Sequence, residues 1–176
     1  GNSGWGRGIN SAGDVVGESD AIAPNGAFFP HAFLYKGAAI TDLGTLGTNT
    51  TQGNSAAAAI NDSGVIVGWA ENDRRDRRAF VYKDGKMQDL NDLLFLKDAE
   101  GNDIVPSIVL TEARDINENG LIVGWGQIRG AEDGQTRAFL LNPILVDPNA
   151  LVDNTNSNGS GGNSGGGSGT DFDGDP

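Results

Sequence analysis

The sequence predicts an all-β fold: three tandem four-stranded antiparallel repeats, shaped like propeller blades, with a Gly-rich C-terminal tail. Three observations predict it. Related blocks recur three times along the chain, no segment sustains the 3.6-residue hydrophobic period of a helix, and 28 of the 176 residues are glycine, many of them at turn positions.

The blocks align on short motifs. Block one runs from Arg7-Gly8-Ile9-Asn10 through Val15-Val16-Gly17 to His31-Ala32-Phe33-Leu34-Tyr35 and Asp42-Leu43-Gly44. Block two gives Ala58-Ala59-Ile60-Asn61, Val65-Ile66-Val67-Gly68, Arg78-Ala79-Phe80-Val81-Tyr82 and Asp89-Leu90-Asn91. Block three gives Arg114-Asp115-Ile116-Asn117, Leu121-Ile122-Val123-Gly124 and Arg137-Ala138-Phe139-Leu140-Leu141. Ile9 and Ile60 are 51 residues apart, Ile60 and Ile116 are 56 apart, and the excess lies in a loop insertion at 91–106. Spacings near ~40–50 residues are those of propeller blades. The repeats are bounded at 1–52, 53–111 and 112–152, with a linker or tail over 153–176.

Each element has a local reason. The first strand ends at Ile-Asn, and the four-residue segments opening at Asn10, Asn61 and Asn117 close on Gly13, Gly64 and Gly120. Asn caps such a turn, and Gly takes the positive φ that returns the chain. The β-branched second strand ends at Gly17, Gly68 or Gly124, a slot that marks a bulge or a close backbone approach. The third strand carries Phe33, Phe80 and Phe139 as anchors between blades, with Ala32, Ala79 and Ala138 on the opposite face. Hairpins at Lys36-Gly37 and Asp84-Gly85 lead into the fourth strand. Block three lacks that turn, so Ile144-Leu145-Val146-Asp147 must supply its last strand if it has one. Three blades leave two open faces, so the blades are read as open or as completed by other segments or chains.

The motifs Ile-Asn-x-x-Gly-x-Val-Val-Gly and His-Ala-Phe-Leu-Tyr, with Asp42-Leu43-Gly44-Thr45-Leu46-Gly47, resemble the HAF repeats of bacterial extracellular proteins. The resemblance covers roughly residues 5–142. It implies an exported or cell-surface protein with propeller-like β repeats, and it brings no reaction and no catalytic residues with it. Arg78 and Arg137 stand where the motif has His31.

Composition narrows the function classes. A formal charge of −12 repels a phosphate backbone, so no nucleic-acid partner is expected. The basic run Arg74, Arg75, Arg77 and Arg78 is interrupted by Asp76 and follows Glu71 and Asp73, which reads as a salt-bridged loop. The absence of Cys removes disulfides and thiolate chemistry. No apolar run is long enough for a membrane span. The chain begins at Gly1 without signal-peptide features, and the reading expects a leader and further repeats in a longer parent.

No constellation of catalytic residues can be named, and the chain is read as not an enzyme. His31 is the only histidine, and its block equivalents are arginines, so the slot calls for a polar or cationic group rather than an imidazole. Asp42 and Asp89 recur at one position, as residues that hold a turn or cap an edge do. Trp69 and Trp125 follow the repeated glycines and pack between blades or offer a stacking platform for sugars. The tail holds eight Gly, four Ser, four Asn and four Asp in 24 residues, and reads as a flexible tether. Within it Asp171, Asp173 and Asp175 space oxygen ligands as the start of a Ca²⁺ loop does.

The expected function is therefore a structural, assembly or adhesion module at the cell surface. Its expected partners are further copies of itself or other segments of a longer parent, in a multimer or filament. The alternative is a carbohydrate-binding module for surface glycans, Ca²⁺-dependent or not, using Trp69 or Trp125. A third reading, a glycoside hydrolase using surface carboxylates, finds no pair to assign.

Overall fold

The computed structural model describes residues 3–49, 52–94, 106–130 and 134–142. Every described residue belongs to one unit, Gly1–Ile144. Among the described residues eleven strands form three antiparallel sheets, and the only helical element is a 3-10 turn at Leu90–Leu93.

The first sheet has strands β1 (Gly4–Ile9), β2 (Val15–Ile22), β3 (Phe28–Lys36) and β4 (Ala39–Gly44), each paired with its neighbour in sequence. The second repeats that order with β5 (Ser55–Ile60), β6 (Ile66–Glu71), β7 (Arg77–Lys83) and β8 (Lys86–Asp89). The third has three described strands, β9 (Ile108–Ile116), β10 (Ile122–Ile128) and β11 (Thr136–Leu141). Residues 144–147, expected to supply its fourth strand, lie outside the described residues, as does most of the insertion at 91–106.

The three sheets share one register. In the first, Ile9 pairs with Val15, Val15 with Tyr35 and Tyr35 with Ile40. The same row reads Ile60, Ile66, Tyr82, Met87 in the second sheet and Ile116, Ile122, Leu141 in the third. The neighbouring row, whose side chains point to the other face, reads Gly8, Val16, Leu34 in the first sheet, then Ala59, Val67, Val81, then Asp115, Val123, Leu140.

Both expected hairpin turns form. Gly13, Gly64 and Gly120 have φ of 81°, 79° and 77°, and each donates its N–H to the carbonyl of the turn-opening Asn at 3.0 Å. The second hairpin of the first sheet turns on Gly37 and Ala38, one residue later than the Lys36-Gly37 expectation, because Lys36 pairs with Ala39. Ala38 therefore holds a left-handed φ of 67° at the place where the second sheet has Gly85.

The repeated glycine after the second strand has a specific cause. A Cβ at Gly17, Gly68 or Gly124 would lie 1.9, 2.1 or 2.1 Å from the carbonyl oxygen of Trp5, Ala56 or Glu112 on the adjacent strand. It would also meet the ring of Phe33, Phe80 or Phe139, which is the glycine's cross-strand partner on the other side. Each first strand bulges beside this contact, at Arg7, Ala58 or Arg114, where the pairing skips one residue. A bulge twists a strand and brings its backbone closer to its partner, and only glycine leaves the space.

Two apolar layers separate the sheets. Between the first and second sheets Val16, Ala32 and Leu43 pack on Ala57, Ile60, Ile66 and Phe80. Between the second and third, Val67, Ala79 and Leu90 pack on Leu110, Ala113, Ile116 and Ile122. Only Phe80 of the three phenylalanine anchors is fully buried between sheets. Phe139 is partly buried against the second layer, whereas Phe33 lines a hollow on the open face of the first sheet.

Replacing Gly68 by Ala is expected to lower stability by about 2 kcal/mol or more, the scale of forced overpacking. Gly6→Ala, where a Cβ meets only a Val15 methyl at 3.6 Å, is expected to change it by less than ~0.5 kcal/mol. Urea denaturation of the two variants checks the contrast.

Candidate functional site

The turn-opening asparagines do more than cap their turns. Asn10 Oδ1 accepts the N–H groups of Ala12 and Asp14, Asn61 Oδ1 accepts that of Val65, and Asn117 Oδ1 accepts those of Asn119 and Leu121. With its oxygen used locally, each amide keeps an Nδ2 donor to offer beyond the turn, and that of Asn10 also reaches the Asp14 carboxylate at 3.3 Å. Asn10 Nδ2 donates to the backbone carbonyl of Asn61 at 3.3 Å, and Asn61 Nδ2 donates to that of Asn117 at 3.2 Å. The turns of successive sheets are thereby joined in a ladder with one direction.

The next residue of each turn adds a second rung. The Ser11 N–H and hydroxyl donate to the Asp62 carboxylate at 2.7 and 2.8 Å, and the Asp62 N–H donates to Glu118 at 3.0 Å. The backbone donor and then the hydroxyl of Ser11 hold the Asp62 carboxyl below its ordinary pKa. At the other end of the inner strand, the buried Ser55 hydroxyl accepts the Ala32 N–H at 2.8 Å and donates to the Gly44 carbonyl, stitching the second sheet to the first. Asn91, in the place of Gly44, performs this between the second and third sheets, accepting the Leu110 N–H at 2.8 Å and donating to its carbonyl at 2.9 Å.

The residues singled out from sequence fall in three places. Arg77 stacks its guanidinium on the Trp69 ring, 3.9 Å from the centroid, lies 5.9 Å from that of Trp125, and is ion-paired with the buried Glu112 of the third sheet. One face of Trp69 is thus occupied by a cation from its own sheet. Arg75 pairs with Glu71 at 3.2 Å and Arg78 with Asp76 at 3.0 Å, the arrangement of a salt-bridged loop. Asp171, Asp173 and Asp175, the candidate Ca²⁺ ligands, lie outside the described residues.

His31 is buried, and its Nδ1 sits 2.9 and 3.0 Å from the two Asp42 oxygens, while its Nε2 has no hydrogen-bond partner. Arg78 and Asp89 occupy the same two positions in the second sheet, 3.8 Å apart. Each aspartate also holds its own backbone: Asp42 accepts the Gly44 N–H at 2.8 Å, and Asp89 caps the 3-10 turn through the Asn91 N–H, also at 2.8 Å. The two carboxyls titrate in opposite directions. Burial pushes Asp42 up, but the His31 hydrogen bond, the Gly44 N–H and the His31 charge outweigh it, and the net shift is down. At Asp89 burial wins, helped by the charge of Asp92 and opposed by the Asn91 donors and Arg78, and the net shift is up. Asp89, Arg78, Lys86 and Arg129 are among the residues lining a groove of about 540 Å³.

The end faces of the stack carry the remaining feature. On the open face of the first sheet Ile9 and Ile40 are 68% and 70% exposed, while their second-sheet counterparts Ile60 and Met87 pack into the first apolar layer. On the open face of the third sheet Val123 and Leu140 are 42% and 64% exposed, whereas Val16 and Val67, the counterparts of Val123, are both at 0%. A shallow hollow lies on each face, of about 380 Å³ beside Phe33, Tyr35 and Ile40 and about 250 Å³ beside Asn117, Val123 and Leu140.

These features define an all-β protein of stacked antiparallel sheets with an apolar surface at either end. The chain belongs to the family described as "Protein of unknown function (DUF3466)", whose model matches residues 1–161. No curated protein and no solved structure matches it. No helix among the described residues is long and apolar enough to cross a membrane.

The sequence reading found the turn asparagines, the glycine slot and the paired aspartate positions. It missed the ladder, Ser55, and the reach of Arg77 to Glu112. Asn recurring in three turns at the block spacing was the available signal for the ladder, since bonds between equivalent residues keep that spacing.

Asn61→Ala is expected to cost about 1–3 kcal/mol, because it orphans the partly buried Val65 N–H as well as removing the donor to Asn117. Asn61→Asp keeps the turn acceptor but sets a buried carboxylate against the Asn117 carbonyl. It is therefore expected to cost at least as much as Asn61→Ala at neutral pH in chemical denaturation and to recover in acid, where the protonated carboxyl can donate.

The aspartates predict opposite pH behaviour. Asp42, with a depressed folded pKa, contributes stability that is present above its unfolded value near ~4 and lost as pH falls through the folded value. Asp89, with a raised one, favours the fold below ~4 and loses that contribution as pH rises through its folded value. Asp89→Asn is therefore expected to raise stability at pH 7 relative to pH 4, and Asp42→Asn to lower it at pH 7 and flatten the acid limb. Thermal melts from pH 3 to 7 read both signs.

Proposed function

We infer that the chain is a non-catalytic assembly module of the cell surface, built from propeller-like blades of one repeated unit that associate through their faces. The observation that carries this reading is the contrast between equivalent residues. Rows of side chains buried or partly buried between sheets inside the stack recur, in the same register, as exposed and largely apolar rows on the two outermost sheets. Soluble monomers rarely leave such rows uncovered, and contiguous exposed apolar surface marks an interaction site. The extracellular setting is carried by the resemblance to HAF repeats.

A face that repeats a buried interface is suited to another sheet of the same kind. The partner that fits is therefore β structure with the same alternation, supplied by self-association or by other segments of a longer parent. Sedimentation velocity across a concentration series is expected to show concentration-dependent species of two or more chains. A single monomeric species up to hundreds of micromolar would remove self-association from this reading.

A further inference from the structure

Resting on that reading, we propose that the first sheet of one copy docks on the third sheet of a second copy, front to rear, and continues the internal stack. Such docking continues the interfaces inside the molecule. The junction between the first and second sheets seats Val16, Leu34 and Ala32 against Ile60, Ile66, Phe80 and Tyr82. The rear of the third sheet presents Val123, Leu140 and Ala138 at the positions of the first set. The front of the first sheet presents Ile9, Val15, Phe33 and Tyr35 at the positions of the second. Each open face thus lacks the partner that the other supplies.

The polar ladder has the matching direction. Within the molecule each turn asparagine donates forward, Asn10 to Asn61 and Asn61 to Asn117. Asn117 is the last of them. It is exposed, and among the described residues its Nδ2 has no acceptor. The Asn10 carbonyl accepts the Gly13 N–H and, unlike those of Asn61 and Asn117, receives no second donor among the described residues. A second copy placed front to rear brings the Asn117 donor to the Asn10 carbonyl. Front-to-front or rear-to-rear docking would set two acceptors or two donors together. The contact is therefore heterologous, and it forms either a closed ring or an open row. Two copies of three sheets give six blades, within the ~4–8 that close a propeller.

The test uses one variant blocked on each face. Ile9→Asp/Ile40→Asp places charges on the front and Val123→Asp/Leu140→Asp on the rear, all at exposed positions. Wild type is expected to assemble and each variant alone to be monomeric. Their equimolar mixture is expected to give a 1:1 dimer and nothing larger, read by native mass spectrometry and light scattering, because one intact junction remains. Circular dichroism checks the fold, and Ile40→Asp or Leu140→Asp alone serves where a double variant does not fold. A mixture that stays monomeric while wild type assembles would overturn the front-to-rear geometry and leave the assembly reading standing. Variants that still assemble alone would also overturn it. A monomeric wild type would overturn the front-to-rear docking and remove self-association from the assembly reading.

Discussion

A short antiparallel sheet with aliphatic side chains on both faces has to be covered twice, and no fold of a single four-stranded meander can cover it even once. Burial of such a face is worth roughly 25 cal/mol per Å² of apolar surface, and that gain is available only when a second sheet arrives. The glycine slot, the bulges beside it, the turn asparagines and Ser55 all serve this stacking. The middle sheet is covered on both sides and holds most of the fully buried large side chains, including Phe80, Ile66 and Val67. The outer sheets are each covered on one side only, which is why residues of identical type and register differ so widely in exposure.

Stacking at close range makes demands on the backbone that side-chain patterning does not reveal. The bulges at Arg7, Ala58 and Arg114 press a carbonyl into the place where the neighbouring strand's Cβ would be, and glycine is the answer in all three sheets. The phenylalanine opposite then lies over the glycine and fills the space a side chain would have taken. The pair is a unit: a large residue at the glycine meets backbone, and a small residue at the phenylalanine leaves a void. Asn and Ser complete the arrangement from the rim, because stacked sheets offer apolar contact in their centres but leave turn carbonyls and strand ends to be satisfied between layers.

Much of this fold was legible because its signals are local. The Asn-x-x-Gly turns, the β-branched strands and the glycine slot each depend on a few adjacent residues, and their threefold recurrence ties them to one structure. What the sequence concealed is relational. An asparagine that only caps its turn and one that also reaches a carbonyl in the next sheet are the same letter in the same motif. Arg77 belongs to a charge run that reads as a salt-bridged loop, yet its neighbours pair within that loop while it lies on Trp69 and pairs with the buried Glu112 of another sheet. The position of Glu112 is taken by Trp5 and Ala56 in the other sheets, so repetition gave no hint of that pair. Phe33 was expected in the same surroundings as Phe80, and the end position of its sheet decides otherwise, whereas Phe139 does face an apolar layer but is only partly buried there.

Charge sets the conditions under which the end faces can act. Copies carrying a net −12 repel one another, and the repulsion between exposed charges reaches over about 8–10 Å at physiological ionic strength. Apolar contact is short-ranged and indifferent to direction, so it can hold two sheets together without deciding how they face. Direction has to come from groups that distinguish donor from acceptor. In this molecule those groups sit on the turns at the edge of each sheet, where Asn10, Asn61 and Asn117 lie in line and the acids at 62 and 118 receive backbone donors from the preceding turn. The acids thereby spend part of their charge on the stack itself. The apolar layers supply the attraction, and the asparagine ladder, with an unused donor at one end and a singly used acceptor at the other, gives the stack its polarity.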